Sequence, residues 1–177
     1  TNIRTGTLSI ASLGLVGTAQ SLGTGTSVNL ILGYNATTDI GFLRYTGPAT
    51  TSNWKVQLGN TGNNFGGGGF LNDGTGAVIW SGSMATQTNS TTGLRPFTLG
   101  GTNAADNTWQ APIVNVSGSA PVSLSKIGSG KWILSGANTY SNATSITGGI
   151  LEIASAGSIN STSGVTINGG EFKYNSS

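Results

Sequence analysis

Cysteine and histidine are both absent from this 177-residue chain, and charged residues make up only 7% of it. The absence of cysteine excludes a disulfide framework, so the stability of the fold must come from an apolar core and from backbone hydrogen bonds. The absence of both residue types also excludes the usual zinc sites, thiol nucleophiles and Ser-His-Asp triads. The composition therefore points away from the commonest classes of enzyme, and it provides no cofactor site.

Charge of either sign is scarce, with seven Lys and Arg residues against five Asp and Glu residues and a net charge of +2. The basic residues are scattered and form no patch, so we expect no nucleic-acid partner. No apolar run approaches the roughly 20 residues of a membrane span, so we expect no such span in this chain. The chain starts at Thr1 without a signal sequence, which indicates a mature product or a segment of a longer protein.

Glycine, serine, threonine and asparagine are abundant, and 30 residues are glycine. Such a composition is also typical of disordered chains, but here short apolar runs recur between the polar stretches, as they do in β proteins. No window shows helical periodicity, so the fold class is predicted to be all-β. Strands are predicted at residues 7–10, 28–32, 42–45, 54–58, 77–80, 97–99, 113–116, 122–124, 131–134, 144–146, 150–153, 165–167 and 171–174.

A short repeat is visible near the end of the chain. Residues 145–153 superpose on residues 166–174, and Trp132 corresponds to Leu151 in the same way. A recurrence of about 20 residues per coil predicts a parallel β-solenoid of about eight or nine coils. In this register Ile146 stacks on Ile167 and Leu151 on Phe172, and the outward Glu152 faces Lys173 as a surface ion pair.

One alternative to the solenoid stays open at this point. Residues 168–170 also suit a hairpin turn, which would place the flanking strands antiparallel in a sandwich or barrel. This alternative applies mainly to residues 1–110, where the spacing is irregular. The glycine run at residues 66–69 is interpreted as a loop inserted in a coil, because no helix or Lys-Ser/Thr follows it to form a phosphate site.

The five carboxylates show no arrangement typical of catalysis. A polysaccharide-cleaving enzyme needs two acids that converge on one groove, and no such pair occurs at matching coil positions. Asp39, Asp73 and Asp106 lie beside Gly, Asn or Thr, as turn residues do. Neither an enzyme nor a calcium site is therefore predicted.

Aromatic side chains and glycosylation sequences provide the remaining candidate sites. Most aromatic residues occupy alternating strand positions and are assigned to the core, but Tyr34, Tyr45 and Trp109 are candidates for an exposed face that stacks on glycans. Asn-x-Ser/Thr triplets, which are candidate glycosylation sites, occur slightly more often than chance predicts. They begin at Asn35, Asn89, Asn115, Asn142, Asn160 and Asn175.

Residues 124–153 resemble the passenger-associated transport repeat, also called the autotransporter-associated β-strand repeat, of bacterial surface proteins. Two positions depart from that pattern, Trp132 and Asn142, and both are compatible with it because Trp suits a strand and Asn tolerates a left-handed backbone. The matching residues are Lys126, Gly128, Gly130, Leu134, Ser135, Gly136, Asn138, Thr139, Tyr140, Ser141, Thr144, Ile146, Gly149 and Leu151.

The resemblance implies a right-handed parallel β-helix, a single domain over residues 1–177 with less regular coils at 1–94 and repeat-like coils at 95–177. It also implies an extracellular or cell-surface location and a structural, non-catalytic role as a stalk segment or a subunit of a self-assembling fibre. The alternative is an adhesin module that binds carbohydrate or another surface. Uncapped coil ends or a terminal strand are expected to support head-to-tail self-association.

Overall fold

The chain forms three sheets of parallel strands, and no helix occurs among the residues that the structure describes. A computed structural model of the chain describes residues 1–24, 29–59, 66–87 and 92–175. The all-β fold class predicted from the sequence is confirmed. Every pairing between the named strands is parallel, so the antiparallel sandwich considered for residues 1–110 does not occur in the described chain.

The longest sheet has seven strands, each from a successive passage of the chain. In spatial order it contains β2 (Gly6–Ile10), β4 (Ile40–Tyr45), β7 (Gly67–Asn72), β9 (Arg95–Gly101), β11 (Val122–Lys126), β13 (Thr144–Ile146) and β15 (Val165–Ile167).

A second sheet has six strands and a third has three. The six-stranded sheet contains β5 (Thr50–Ser52), β8 (Val78–Trp80), β10 (Asn107–Trp109), β12 (Lys131–Leu134), β14 (Ile150–Ile153) and β16 (Glu171–Tyr174). The three-stranded sheet contains β1 (Asn2–Ile3), β3 (Leu30–Leu32) and β6 (Val56–Leu58).

The chain visits the sheets in turn, as expected for a β-solenoid. After β3 in the three-stranded sheet it enters β4 in the seven-stranded sheet and β5 in the six-stranded sheet, and then starts again at β6. We call one passage from a strand of the seven-stranded sheet to the next strand of that sheet a coil. Residues 168–170 connect β15 and β16, which belong to different sheets, so this segment is a corner and the hairpin interpretation is wrong.

The length of a coil changes along the chain, as the register of the seven-stranded sheet shows. Residues paired from strand to strand across this sheet are, in order, Gly6, Gly41, Gly68, Phe97, Leu124, Thr144 and Val165. The steps as far as Leu124 are long, at roughly 30 residues each, whereas the two steps after Leu124 are short, at about 20 residues each. The period predicted from the sequence holds only for these last coils, so the eight or nine coils derived from it are not confirmed.

The predicted side-chain stacks of the last coils are confirmed. Ile146 pairs with Ile167 and Leu151 with Phe172, and in the same register Ile153 pairs with Tyr174. Strands β13 to β16 also have the boundaries predicted from the sequence. Alternation of apolar and polar residues along these strands places one face toward the core, which is why the short repeat could be read directly.

The glycine run at residues 66–69 was predicted to be a loop, and this prediction is wrong for residues 67–69. They start β7, which is paired on both sides, with β4 and with β9. A Cβ atom at Gly68 would collide with the backbone of Gly41, and one at Gly69 with the backbone of Thr98. Glycine is therefore required because three neighbouring strands approach closely, and not because the segment is a turn.

Other strands differ from the prediction at their positions. Residues 113–116 form no strand, whereas β5 and β10, which contain the polar residues Thr50, Thr51 and Asn107, were not predicted. The start of the predicted strand at 28–32 lies outside the described residues. These short polar strands form because their neighbours in the ladder provide the pairing, which local β propensity does not report.

The space between the sheets is filled by a continuous apolar core, which contains four tryptophans. Trp54, Trp80, Trp109 and Trp132 are fully or almost fully buried. Trp80 and Trp109 pair in register on β8 and β10, and their rings stack with centroids 5.7 Å apart. The Phe70 ring centroid on β7 lies 4.2 Å from that of Trp80 in the same coil and 5.4 Å from that of Trp109 in the next coil, so aromatic side chains from different coils pack against one another.

Candidate functional site: polar clamps and the open end of the column

Lys126, at the end of β11, is fully buried and joins two coils. Its Nζ donates hydrogen bonds to the carbonyl oxygens of Ile127 (2.9 Å), Gly128 (3.0 Å) and Gly148 (3.0 Å). Gly148 belongs to the following coil. Burial lowers the pKa of Lys126 to about 8. The amine thus provides hydrogen-bond donors for backbone carbonyl groups at the corners of two coils.

Asn138 connects three successive coils. Its Oδ1 accepts a hydrogen bond from the backbone N–H of Ile113 (2.8 Å) in the preceding coil. Its Nδ2 donates to the carbonyls of Gly136 (2.8 Å) in its own coil and Ser158 (2.8 Å) in the next coil. The side chain is only 2% exposed. One side-chain amide therefore links the backbones of three coils at a corner that lies outside the strands.

Tyr140 connects its coil to the next coil through a hydroxyl pair. The buried Tyr140 hydroxyl lies 2.6 Å from Oγ1 of Thr144, the first residue of β13. Burial raises the pKa of this phenol. Thr162 Oγ1 in turn donates to the carbonyl of Asn142 (2.6 Å). We call Lys126, Asn138 and Tyr140 the polar clamps, and all three are among the residues that carry the repeat pattern.

An ion-pair cluster lies on the outer face of the six-stranded sheet. Lys131 on β12 contacts Asp106 (2.7 Å) and Glu152 on β14 (2.9 Å). The hydrogen bonds that Lys131 Nζ donates to these two carboxylates raise the pKa of Lys131, with Asp106 the larger contributor. Glu152 is in register with Lys173, as predicted, but Lys173 contacts Glu171 instead at 3.6 Å. The predicted Glu152–Lys173 ion pair is therefore wrong, because the Glu152 carboxylate forms its ion pair with Lys131.

Asp39 and Asp73 act as turn and corner residues. Asp39 accepts a hydrogen bond from the backbone N–H of Asn35 (2.9 Å), and this bond, helped by Arg4, holds the pKa of Asp39 below its usual value. Asp73 accepts from the N–H of Thr102 (2.8 Å) in the next coil. Within the described residues, no group of three or more acidic, His or Cys side chains is placed to hold a metal ion.

Two of the three aromatic residues predicted to form a glycan-stacking face do not form one. Trp109 is fully buried between Trp80 and Phe97, and Tyr45 is 4% exposed. The expectation that they are exposed is wrong, because both side chains occupy inward positions of their strands, which the neighbouring polar residues do not reveal. Tyr34 is half-buried, and the Arg4 guanidinium lies 4.7 Å from its ring centroid.

The candidate glycosylation asparagines differ widely in accessibility. Asn35, Asn160 and Asn175 are exposed, although Asn175 Nδ2 donates to Glu152 (2.8 Å). Asn142 is half-buried. Asn115 uses its Nδ2 to donate to Ser141 (3.0 Å) and its Oδ1 to accept from two backbone N–H groups, so it has a structural role. Asn89 lies outside the described residues.

The last described coil presents an open end. The outer edges of β15 and β16 have no neighbouring strand in the described chain. Val165, Ile167 and Tyr174 are exposed at 39%, 53% and 57%, although the residues below them in the same stacks are buried. An edge of this kind pairs equally well with a following strand of the same polypeptide and with a strand of another chain.

Comparisons with known proteins agree with this geometry. The model of the passenger-associated-transport-repeat family matches residues 124–153, the segment that contains all three polar clamps. The chain is 32% identical over 175 residues to the adhesin BmaC autotransporter of Brucella suis biovar 1 (strain 1330), and the match covers 96% of the chain.

The chain spans about 5% of the length of that relative. No solved structure matches the chain. The repeat and the autotransporter relative together indicate an extracellular, cell-surface location. No helix in the described portion of the chain has the length and apolarity to cross a membrane.

Proposed function

Because this chain belongs to the autotransporter passenger proteins that carry the passenger-associated transport repeat, we propose that it is a non-catalytic stalk segment of a bacterial surface passenger. Its role is to extend as a rigid β-solenoid and to present loops. The observation that carries this proposal is the set of polar clamps, which use the signature side chains of the repeat for hydrogen bonds between coils.

We also propose a coil count, a single domain and a handedness for the solenoid. We assign one coil to each strand of the seven-stranded sheet, in one domain that continues across residues 94 and 95, since β7, β9 and β11 are neighbours in one sheet. The winding is right-handed, because crossovers between parallel strands of one sheet are right-handed in about 98% of cases. At about 4.8 Å per coil, each repeat adds a constant increment of length.

Hydrogen exchange followed by mass spectrometry tests the stalk role. A rigid column should protect the amides of β11, β12, β13 and β14 to a similar degree, because the clamps couple these strands into one cooperative unit. A matched comparison is the Tyr140→Phe variant, which removes the hydroxyl that contacts Thr144. Rapid exchange throughout β11 to β14 in the unmodified protein would contradict a rigid stalk.

Head-to-tail self-association is a second component of the proposal. It is supported by the exposed apolar side chains and unpaired edges of β15 and β16, and the acceptor would be the N-terminal edge of a second copy. Sedimentation and electron microscopy should show concentration-dependent end-to-end rods. The Ile167→Lys variant should weaken them, whereas Thr166→Lys, on the opposite face of the same strand, should not. A monomer without filaments at high concentration would exclude self-association of this segment.

An adhesin module that binds carbohydrate or another surface is the alternative function, and the printed name of the relative, an adhesin, favours it. Stalk and adhesin make different predictions for binding. A stalk segment should show no binding on a glycan array or to host-cell surfaces, whereas an adhesin module should bind saturably. Tyr34 is the remaining aromatic candidate from the sequence, and Tyr34→Ala should reduce binding if it stacks on a sugar.

A further inference from the structure

The corner between β15 and β16 contains the one Asn-Gly sequence of the chain, at Asn168 and Gly169. Asn168 is exposed, and Gly169 has a φ of +104°, a backbone conformation that glycine adopts freely. Asparagine is among the chemically labile residues, and its short side chain reaches the backbone of its immediate neighbours. The reactive pair in this corner is the carboxamide carbon of Asn168 and the backbone nitrogen of Gly169.

The corner is fixed at both ends, but its reactive pair is not held by hydrogen bonds. The N–H of Asn168 donates to the carbonyl of Ile146 (2.8 Å). The N–H of Glu171 donates to the carbonyl of Gly149 (2.8 Å). Between these two bonds, neither the Asn168 carboxamide nor the Gly169 N–H has a partner among the described residues. The fold therefore leaves both reactive groups unprotected.

The exposure of Asn168 is a property of the corner and does not result from the open end. Thr147 occupies the same position in the preceding coil, one residue after β13, which is paired with β15. Thr147 is exposed although the last coil lies directly beyond it. The N–H of the next residue, Gly148, also has no partner in the described chain. A coil added after β16 would thus leave Asn168 accessible.

The Asp-Gly sequence at Asp73 and Gly74 provides a contrast, because there the fold protects both groups. The Asp73 carboxylate forms an ion pair with Arg44 and accepts hydrogen bonds from Thr102. The N–H of Gly74 donates to Oδ1 of Asn72 (2.9 Å). Attack of this nitrogen on the Asp73 carboxyl carbon requires these bonds to break, so Asp73 is an internal control.

We propose that Asn168 and Gly169 form a self-modification site, which converts Asn168 to isoaspartate without an enzyme and loosens β16. The Gly169 nitrogen attacks Cγ of Asn168 and forms a C–N bond. The Asn168 Nδ2 takes up the proton that this nitrogen loses and leaves as ammonia. Water then opens the five-membered imide. Opening at the backbone carbonyl gives isoaspartate, which adds one carbon to the main chain and one negative charge, whereas opening at Cγ gives aspartate.

The inserted carbon lengthens a corner that sets the register of β16. In that register Glu171 pairs with Ile150 and Phe172 with Leu151 of β14. Because register depends on the geometry of the connecting segment, a longer corner should weaken the pairing of β16 with β14. This site goes beyond the stalk role, which depends on the protection of β11 to β14.

The test is peptide mass spectrometry after the purified chain is incubated at mildly alkaline pH in water that carries a heavy oxygen isotope. Asn168 should exchange its amide nitrogen for one labelled oxygen, with isoaspartate as the larger product. Its rate should be similar in the folded protein and in urea. Asp73 should form isoaspartate at least tenfold more slowly in the folded protein than in urea, because its bonds open only on unfolding.

Two variants at the same position separate the steps. Asn168→Thr copies Thr147 of the preceding coil, and it should fold normally and give no product at this corner. Freshly prepared Asn168→Asp adds the charge without the extra carbon. Amide hydrogen exchange of β16 should be at least tenfold faster in the isoaspartyl protein than in the unmodified protein, and unchanged in Asn168→Asp.

Three results would overturn the proposal. The first is that folding slows the reaction of Asn168 as strongly as that of Asp73. The second is that Asn160, which is also exposed but precedes a serine, reacts as fast as Asn168 in the folded protein. The third is that the isoaspartyl protein and Asn168→Asp show equal exchange in β16.

Discussion

The N-terminal coils, from β1 to β10, and the C-terminal coils, from β11 to β16, build the same parallel column by different means. Each N-terminal coil takes roughly 30 residues, and the interior of that region contains Trp54, Trp80 and Trp109. Each C-terminal coil takes about 20 residues, and the stacks there pair an aliphatic residue with an aliphatic or an aromatic one, as in Ile146 on Ile167 and Leu151 on Phe172. The first region is stabilised by bulky packing across coils and the second by repeated short stacks.

Polar side chains also differ between the two regions. Lys126, Asn138 and Tyr140 all belong to the coil that starts at β11, and each bonds the following coil. A short coil has only two described strands, so its third side lacks a continuous ladder, and side chains must satisfy the backbone groups there. In the first coils the three-stranded sheet covers this side, and the Met84 bridge extends it by one coil. In the short coils, side chains of the repeat pattern therefore make the hydrogen bonds that keep buried polar groups paired.

The largest expected effect comes from deleting one coil in each region. Removal of residues 144–164 brings Val165 to the place of Thr144, its partner in the ladder, and should leave a cooperatively folded protein. Removal of residues 68–96 eliminates Phe70 and Trp80 from the aromatic packing and should abolish folding. Circular dichroism and urea unfolding distinguish these outcomes. Equal tolerance of both deletions would remove the proposed difference between the regions.

Truncation of a core tryptophan should follow in size. Trp80→Ala is expected to lower the free energy of unfolding by about 3–5 kcal/mol, since Trp80 is fully buried and contacts aromatic rings of two other strands. Trp80→Phe should cost clearly less because it keeps most of the ring packing. Urea denaturation measures both variants. A loss below about 1 kcal/mol for the alanine variant would show that the aromatic cluster does not stabilise these coils.

Removal of a clamp should have an intermediate effect. Asn138→Ala leaves the N–H of Ile113 and the carbonyl of Ser158 without their side-chain partner, which should cost about 1–3 kcal/mol. Asn142→Ala is the matched control, because this half-buried side chain accepts only from the adjacent N–H of Ala143. The two variants are compared by thermal or urea unfolding, and similar losses would contradict the clamp role of Asn138.

The smallest predicted effect is a pH dependence that arises at Lys126. Its pKa is about 8 in the folded protein and near 10.5 when exposed, so above pH 8 the unfolded chain binds more protons than the folded one. Stability should therefore rise from pH 8 toward pH 10. The Lys126→Met variant should lack this rise. Unfolding is measured only up to about pH 10, because tyrosine side chains lose their protons above that pH. An unchanged slope of stability against pH in the variant would exclude Lys126 as its source.

How far the sequence predicted the structure depended on the regularity of the coil. Residues 144–174 were predicted correctly in strand boundaries and register, because each coil repeats the alternation of the previous one. Gly67–Asn72 was not recognised as a central strand, since its glycines are explained only by contacts with Gly41 and Thr98 in other coils. Tyr45 and Trp109 were misplaced on the surface for the same reason.

The amino-acid sequence alone determined the all-β class, the short period of the last coils and the identity of the repeat, because these depend on residues close together in the chain. Only the tertiary structure decided which side chains bridge coils and which three carbonyl oxygens the Lys126 amine contacts. Those features depend on residues that are distant in the chain and are brought together by coils of unequal length. Local propensity contains no information on such distances.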